Sequence, residues 1–445
     1  MSSSFPLFQH APTDPFVWHK GKSITAAAFL HDVMVLVESL PERRYLFNLC
    51  EDRYHFMVGF AAAVIKGQVN LLPPNCTPDL INGLAERYPD SYCLFEQAIT
   101  GVELPSVRLQ IGAAGKGHVN QVPVVDGEQL IAIAFTSGST GVPKPNPKQW
   151  KELVAGADRA ISRFNIVAGK VSALVATVPP QHMYGLETSV LTPWRAGIAV
   201  HAGRPFFPAD VAAALAAVPK PRVLITTPLH LRACLKADLA WPELEFTVSA
   251  TAPLSADLAQ QVEERLDTRV MEIFGCTEAG SIASRRTTDD ARWYLYDGIS
   301  LRLSGQTGYV ESKQLPQPVP LGDRIEVVDH RYFNLLGRNE EMVNIAGKRT
   351  SLSDLNHKLN AIAEVEDGAF IMPDNLDAET TRLAAFVVTP TLDEAAVLHH
   401  LKRGIDPVFL PRPLYKVDAL PRNETGKLPR AALLKLLKQR RAGSA

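Results

Sequence analysis

The residues with the clearest chemical potential form a loop, TSGSTGVPK at 136–144, which directly follows the short apolar run 131–135. The loop offers hydroxyl donors, backbone N–H groups freed by two glycines, and the positive charge of a lysine to an anion. Polyphosphate is the ligand that this composition predicts, and a solvated turn is the structural alternative. The spacing is neither GxxxxGK[ST] nor GxGxxG, so it supports neither a P-loop NTPase nor a Rossmann dehydrogenase.

The exit from this loop, PKPNPK, places Pro145 and Pro147 between Lys144 and Lys148. Each proline fixes φ and removes a backbone N–H donor, so the pattern predicts a stiff exit. Lys144 and Lys148 are therefore both candidates for a contact with phosphate.

Three further polar stretches follow in order: IFGCTEAG at 273–280, LGDRIEVVDHRYFNLLGRNEEMVNIAGKR at 321–349 and LPRNETGKLPRAAL at 420–433. Taken alone, Asp323 is a turn residue, Lys427 a surface charge and Phe274 a strand-end core aromatic. In this order, and together with 136–144, the four stretches resemble the adenylate-forming superfamily of acyl-CoA synthetases, aryl-acid ligases, luciferases and peptide-synthetase adenylation domains. The resemblance extends over nearly the whole chain.

This resemblance implies a two-step reaction. The carboxylate of a small acid attacks the α-phosphate of ATP, which gives an acyl-adenylate and pyrophosphate, and a thiol then displaces AMP. The implied cofactors are ATP and Mg²⁺, and the implied thiol acceptor is phosphopantetheine, carried by an acyl carrier protein or by CoA.

The resemblance also implies roles for individual residues. Thr277 would donate to the α-phosphate, Glu278 would ligate Mg²⁺, and Lys427 would stabilise charge between the substrate carboxylate and the α-phosphate. Glu340 would be the hinge of a mobile C-terminal domain, at a position where the family favours aspartate or lysine. The implied nucleotide-binding residues are Thr136, Ser137, Gly138, Ser139, Thr140, Gly141, Lys144, Phe274, Asp323 and Arg338.

The segment VPPQHMYGLE at 178–187 resembles the part of the family that lines the acyl pocket. His182 and Gly185 are candidate pocket residues here, although by type alone His182 is equally a loop histidine with its hydrogen bonds satisfied. Amino-acid-activating members place an aspartate in this segment, and its absence speaks against an α-amino acid. Three further pocket candidates come from SATAPL at 249–254: Ala250, Thr251 and Ala252.

The compact chain, with PKPNPKQW and TEAGSIASR, is most similar to the small ligases of aryl-polyene and related pigment pathways. Those enzymes load an aryl or short acyl group onto an acyl carrier protein. A general acyl- or aryl-CoA synthetase that uses free CoA is one alternative. A degenerate nucleotide-binding partner module is another, although such a module has no physical need to keep five dispersed polar residues.

The elements that must position these residues alternate between short apolar runs and helix-like segments from about residue 130. This alternation predicts an α/β fold with a mainly parallel, helix-covered sheet, whose ligands gather beyond the carboxyl ends of the strands. We expect residues 1–338 to form a large N-terminal domain with a small β-rich subdomain, and residues 339–445 to form a small mobile α+β domain. The predicted strands are 131–135, 173–178, 198–202, 223–226, 246–249 and 270–274.

Composition bounds the remaining possibilities. The 46 Lys and Arg against 47 Asp and Glu give a net charge of −1, which predicts neither a nucleic-acid partner nor attraction to an anionic membrane. Five scattered cysteines without CxxC spacing argue against a zinc site or a disulfide framework. The N-terminal residues lack the pattern of a signal peptide, and the apolar runs are too short to span a membrane. These features predict a cytoplasmic protein.

Overall fold

The computed structural model describes residues 3–19, 21–97, 100–111, 121–136, 143–338, 342–345, 348–373, 382–423 and 426–442. The chain forms two compact units. The first comprises Met1–Ser300 and Val310–Val319, and the second comprises Leu301–Tyr309 and Pro320–Ala445. The predicted boundary between residues 338 and 339 stays a prediction.

The strands of the first unit are β1 (Ser4–Pro6), β2 (Pro15–His19), β3 (Lys22–Thr25), β4 (Tyr45–Asn48), β5 (Val69–Leu72), β6 (Ser91–Phe95), β7 (Ser106–Arg108), β8 (Val124–Asp126), β9 (Leu130–Thr136), β10 (Lys144–Gln149), β11 (Ala173–Ala176), β12 (Ala199–His201), β13 (Arg222–Thr226), β14 (Phe246–Ser249), β15 (Val270–Cys276), β16 (Gly280–Arg286) and β17 (Trp293–Leu295). The predicted strands coincide with β9 and β11–β15 to within two residues at each end.

The helices of the first unit are α1 (Ala26–Ser39), α2 (Arg53–Ile65), α3 (Pro78–Arg87), α4 (Trp150–Phe164), α5 (Met183–Leu186), α6 (Thr192–Ala196), α7 (Pro208–Ala216), α8 (Pro228–Lys236) and α9 (Ala256–Leu266). A π-helical turn, Glu187–Leu191, connects α5 to α6. Ser255 caps α9, as its type predicts, because its side chain accepts a hydrogen bond from the N–H of Leu258.

One sheet of the first unit has the strand order β10-β9-β5-β4-β6-β7. Its strands are parallel except β10, which pairs antiparallel with β9 at the edge. Pro145 and Pro147 lie on this edge strand, where a missing N–H costs no internal ladder bond. The segment predicted as a stiff loop exit is therefore a β-strand.

The other main sheet of the first unit runs β17-β16-β15-β14-β13-β11-β12-β2-β3. Its central strands, β15, β14, β13, β11, β12 and β2, are all parallel. Helix α2 contributes Phe56, Met57 and Phe60, all fully buried, to the largest apolar cluster, which also includes residues of both sheets. This arrangement confirms the predicted α/β fold class with helix-covered, mainly parallel sheets.

Three short strands, β18 (Ser300–Ser304), β19 (Thr307–Glu311) and β20 (Val319–Pro320), include the residues at which the chain passes between the units. The second unit continues with β21 (Asp323–Val327), β22 (Tyr332–Arg338), β23 (Met342–Ile345), β24 (Lys348–Ser351), α10 (Leu352–Asn360), β25 (Asp367–Ile371), β26 (Ala384–Val388), α11 (Glu394–Leu401), β27 (Leu414–Lys416) and α12 (Arg430–Ala442). A 3₁₀ turn, Pro407–Phe409, precedes β27.

Two apolar clusters stabilise the second unit. One joins α10 and α11 to one face of the β25-β26-β27 sheet, and the other packs α12 against the opposite face. The sequence alone also predicts helices at 352–362 and 431–439, from their helical composition, and these correspond to α10 and α12. Within the residues described above, no helix is long and apolar enough to cross a membrane.

Candidate functional site

The carboxyl ends of the parallel strands β11, β13, β14 and β15 lie at one edge of their sheet. The loops that follow these strands are the segment 177–187, Ala250–Ala252 and the turn 277–280, and they carry seven of the first unit's predicted site residues. An edge of this kind is where open α/β sheets bind ligands, since the loops diverge there and leave space.

Tyr184 anchors the predicted acid-pocket segment to this edge. Its hydroxyl lies 3.1 Å from the carbonyl oxygens of both Thr226 and Val248, the last residue of β13 and the third residue of β14. Next to them, the hydroxyls of Thr177 and Thr226 form a 3.0 Å hydrogen bond. The segment is thus held at the sheet edge by a buried phenol that the sequence reasoning did not single out.

His182 caps helix α5, because its Nδ1 accepts a 3.3 Å hydrogen bond from the N–H of Tyr184. Gly185 is required by packing, since a Cβ there would lie 2.0 Å from the carbonyl oxygen of Pro179. Thr251 adopts φ +78°, a left-handed conformation that a β-branched residue rarely accepts. Such strain collects at binding sites, where the surrounding structure enforces it.

The predicted metal and phosphate contacts, Thr277 and Glu278, lie on a tight turn between the antiparallel strands β15 and β16. Gly275 permits this turn, because a Cβ there would lie 2.3 Å from the carbonyl oxygen of Gly280. Gly280 has φ +74°, which glycine adopts without strain. The sequence GCTEAG therefore encodes both the turn and the side chains displayed on it.

Lys148 lies beside this turn and is buried, with 3% of the residue exposed. Its Nζ donates a 2.5 Å hydrogen bond to the carbonyl oxygen of Glu278 and lies 3.9 Å from Oε2 of Glu152. The hypothesis that Lys148 contacts phosphate does not fit this geometry, since its ammonium group is already engaged away from solvent. Lys144, at the other end of β10, is exposed.

Glu187 contacts Ser281, the residue that follows the turn, and is 2% exposed. Its Oε2 accepts from the backbone N–H of Ser281 at 3.1 Å and from the Ser281 hydroxyl at 2.9 Å. Arg159, close enough to interact electrostatically with Glu187, also donates to Ser312 and Gln314. Two cations and two anions are therefore grouped here: Lys148, Arg159, Glu152 and Glu187.

The four charged side chains line a cavity of about 20 Å³, together with residues such as Met183 and Ala279. A space of this size holds a single water molecule. Burial lowers the pKa of Lys148 and raises the pKa of Glu187, and the opposite charges within the group oppose both shifts. Their mutual attraction thus offsets part of the cost of removing each charge from water.

Phe274 is 9% exposed, and its ring centroid lies 5.4 Å from that of Trp293. The residue is therefore packed within the first unit, and its contact with the nucleotide stays a prediction. Thr136 ends β9, with its hydroxyl 3.4 Å from Nδ2 of Asn146. The remaining loop residues predicted to bind phosphate lie outside the described residues: Ser137, Gly138, Ser139, Thr140 and Gly141.

In the second unit, Asp323 begins β21 and lies opposite Arg338 in the register of the β21-β22 pair. This pairing brings together the two residues that the resemblance implies for the ribose and phosphates. The predicted hinge residue, Glu340, lies outside the described residues.

Lys427 lies in a short loop before α12. Its backbone N–H donates to Oδ1 of Asn423 at 2.9 Å, and its carbonyl accepts from the N–H of Asn423 at 2.8 Å. Arg422 donates to the carbonyl of Gly426 and forms a bidentate ion pair with Asp367, both hydrogen bonds being 2.7 Å long. The backbone that carries Lys427 is therefore fixed on both sides.

The side chains near the turn suit Mg²⁺ only if the ion takes most of its ligands from a bound nucleotide and from water. Across the residues that the structure describes, no group of three or more His, Cys, Asp or Glu side chains could hold a metal ion. A single carboxylate, Glu278, fits a Mg²⁺ ion whose other ligands are phosphate oxygens and water, which is how this ion is usually bound with nucleotides.

Comparisons with known proteins agree with these features. Residues 45–341 match the model of the family described as "AMP-binding enzyme". The 4-coumarate–CoA ligase of Rhodobacter capsulatus is 30% identical over 304 residues, which cover 67% of this chain and 75% of that protein.

Two solved structures show the same fold. ATP-bound MatB from Rhodopseudomonas palustris superposes with a TM-score of 0.81 at 18% identity, over 96% of each chain. The o-succinylbenzoate CoA synthetase MenE from Bacillus subtilis, in complex with its acyl-adenylate intermediate, gives a TM-score of 0.83 at 14% identity, over 97% of this chain and 98% of that one. At these identities the superpositions establish the architecture alone.

Proposed function

Because the chain belongs to the AMP-binding enzyme family and is an AMP-forming acid–thiol ligase that acts through an acyl-adenylate, we propose that its substrate is an aryl acid and its acceptor a phosphopantetheine thiol. The observation that carries the proposal is the turn between β15 and β16, which presents Thr277 and Glu278 at the sheet edge next to the segment 178–187. The nucleotide contacts and the acid pocket would thus be adjacent.

In the proposed mechanism, Glu278 would hold Mg²⁺, which when bound would supply positive charge to the phosphates of ATP. Thr277 donates to the α-phosphate. Lys427 donates to the substrate carboxylate and the α-phosphate as negative charge develops there. Asp323 accepts hydrogen bonds from the ribose hydroxyls, and Arg338 adds a contact to the ribose or phosphates. By the resemblance, the glycines and hydroxyls of 136–141 would surround the leaving pyrophosphate.

An aryl acid is supported by the 4-coumarate–CoA ligase relative and by the makeup of the segment 178–187. Its side chains beside the sheet edge include Met183 and the ring of Tyr184, and it carries no aspartate that could pair with an α-ammonium group. His182, Gly185 and Ala250–Ala252 would complete the pocket.

Two acceptors share the phosphopantetheine thiol. Free CoA is supported by the similar proteins, since the 4-coumarate–CoA ligase and the o-succinylbenzoate CoA synthetase are both CoA ligases. An acyl carrier protein is supported by the similarity of PKPNPKQW and TEAGSIASR to the aryl-polyene type of ligase. The acceptor is decided by supplying the enzyme and one acid with CoA or with holo carrier protein, and comparing the initial rates of thioester formation.

The acid is tested by trapping adenylates as hydroxamates across benzoates, cinnamates, fatty acids and amino acids. We expect acid-dependent pyrophosphate release with benzoates or cinnamates. Activity with amino acids only would overturn the aryl assignment. Formation of ADP instead of pyrophosphate would overturn the adenylation chemistry.

A further inference from the structure

Two side chains that are far away in sequence, Lys148 and Glu187, form hydrogen bonds to the turn that carries Glu278 and to the residue that follows it. We propose that Lys148 and Glu187 are positioning residues, which fix this turn and through it the orientation of Glu278. The inference rests on the proposed function, because the position of Glu278 affects the reaction only if its carboxylate ligates Mg²⁺.

The Lys148 side chain forms a hydrogen bond to the backbone of the turn. The 2.5 Å hydrogen bond from Nζ ends on the carbonyl of Glu278 itself, and the two residues are 130 positions apart. Only 4% of the Lys148 side chain is exposed, so little water can compete for the carbonyl. The charge makes this hydrogen bond stronger than one between neutral groups. The carboxylate of Glu278 is left available to a ligand because the contact uses only its main chain.

Glu187 forms hydrogen bonds at the other end of the turn. Its carboxylate accepts both the N–H and the hydroxyl of Ser281, which directly follows Gly280. Gly156 leaves room for this carboxylate, since a Cβ there would lie 3.0 Å from Oε1. Any larger side chain at Gly156 would press on the carboxylate.

The π-helical conformation of the backbone that begins at Glu187 supports a functional role for this residue. Glu187 begins the π-helical turn Glu187–Leu191, and π-helical turns inside α-helices frequently mark functional sites. Arg53, fully buried, steadies this turn by donating to the hydroxyl of Ser189 and to the carbonyls of Ala176 and Val178. The π-helical turn thus links the acid-pocket segment to the turn that carries Glu278.

Stability alone does not explain the buried charges. Apolar side chains of similar size are often as stable as a buried ion group, or more so. Hydrogen bonds differ from apolar contacts in fixing direction, and residues that orient a metal ligand typically change metal affinity about 10- to 100-fold when they are removed. The charged group around the turn therefore serves to hold Glu278 in one place.

The test uses the full-length enzyme without acid, so that no turnover occurs. The binding of ATP is measured at increasing Mg²⁺ concentration for the wild type, Lys148→Met, Glu187→Ala and Glu187→Gln. Lys151→Met is the matched control, because Lys151 is exposed to a larger extent and pairs with Glu128 away from the turn. Amide hydrogen exchange of 276–281 is followed in the same variants.

We expect Lys148→Met and Glu187→Ala to raise the half-saturating Mg²⁺ concentration about 10-fold or more and to speed exchange in 276–281. Glu187→Gln keeps an oxygen acceptor for Ser281 and should lie closer to the wild type. Wild-type Mg²⁺ dependence and exchange in both severe variants would overturn the inference. If a severe variant does not fold, Lys148→Arg and Glu187→Gln replace it, with a shift of about 3-fold supporting the inference and no shift overturning it.

Failure of the proposed function gives a different result. In that case the wild type itself releases no pyrophosphate with any acid, whatever the variants do. If instead the wild type adenylates an acid and all variants match its Mg²⁺ dependence, only the positioning role is lost.

Discussion

The turn that carries Glu278 is tied by buried charges from distant elements, whereas the loop that carries Lys427 is tied mainly by its own neighbours. Lys148 and Glu187 contact the turn from 130 and 94 positions away. In the loop, Asn423 and Arg422 bond to residues four positions along the chain, and Arg422 also pairs with Asp367, 55 positions away.

This difference shows two ways to present a polar side chain. The turn depends on the packing of the first unit, so its geometry is as rigid as that core. The loop is held by hydrogen bonds between residues close in sequence and by the ion pair of Arg422 with Asp367, both within the second unit. A residue whose domain is predicted to move, such as Lys427, suits the second arrangement.

The largest expected effect on the free energy of unfolding comes from removing a charged side chain that holds each region in place. Glu187→Leu leaves Lys148 and Arg159 short of a counter-charge, which should lower the free energy of unfolding by about 3–5 kcal/mol. Arg422→Leu breaks a pair whose side chains are 19% and 18% exposed, so about 1–3 kcal/mol is expected.

All five tryptophans lie in the first unit, so their fluorescence in urea reports on Glu187→Leu. Amide hydrogen exchange of 414–423 reports on Arg422→Leu. Equal losses in the two variants would contradict the distinction between the turn and the loop.

The second test concerns chemistry. Lys427→Ala should slow acid-dependent pyrophosphate release about 100- to 1000-fold, because one preorganised donor to the developing charge is lost. ATP binding and urea unfolding should remain close to wild type, since the bracing of the loop uses the backbone of Lys427. Lys402→Ala, an exposed lysine of the same unit, is the control. A rate near that of the wild type would rule out the assigned role.

The third test distinguishes the two units by the pH dependence of their stability. Burial lowers the pKa of His10 and of His230 to about 4, and both lie in the first unit. Since the unfolded chain takes up these protons near pH 6.5, their contribution to stability is present above that pH and is lost as pH falls toward 4. The loss should reach about 3 kcal/mol per histidine.

Tryptophan fluorescence at several pH values measures this slope. His230→Asn should flatten it, because the titrating ring is gone and an amide oxygen can still meet the Thr227 hydroxyl, 2.9 Å from Nδ1 in the wild type. His399→Asn, on the exposed face of α11, is the matched control and should leave the slope unchanged. A slope that is the same in all three proteins would contradict the prediction.

The smallest effect tests the tightness of the turn. Gly275→Ala should cost about 1–3 kcal/mol, because the new Cβ would lie 2.3 Å from the Gly280 carbonyl and the strands must separate. Gly83→Ala, in α3 with nothing within 4 Å of the new Cβ, should instead be neutral or stabilise by about 0.5–1 kcal/mol. Urea unfolding compares the two. A harmless Gly275→Ala would mean that the turn can relax.

Much of the first unit's fold was predictable, because short apolar runs and helical segments alternate from residue 130 onward. The strand at Lys144–Gln149 was missed, since two prolines argue against a strand unless it lies at an edge with its N–H side unpaired. Edge position is a property of the sheet and is invisible in six residues of sequence.

Ordered motifs identified the candidate site, and GCTEAG even contains the glycines that its turn requires. From the sequence, Lys148 is instead one of two candidates for a phosphate contact, and Glu187 has no predicted role within VPPQHMYGLE. Neither residue carries a local signal of burial, since lysine and glutamate are ordinarily exposed.

The sequence by itself determined the family, the α/β class and the polar residues that carry the proposed chemistry, because these depend on local residue types in a fixed order. Only the tertiary structure decided that Lys148 and Glu187 face the same turn. Their meeting depends on the folding of β10, the π-helical turn and the β15-β16 pair against one another, and contacts between residues 94 to 130 positions apart leave no pattern within any single stretch.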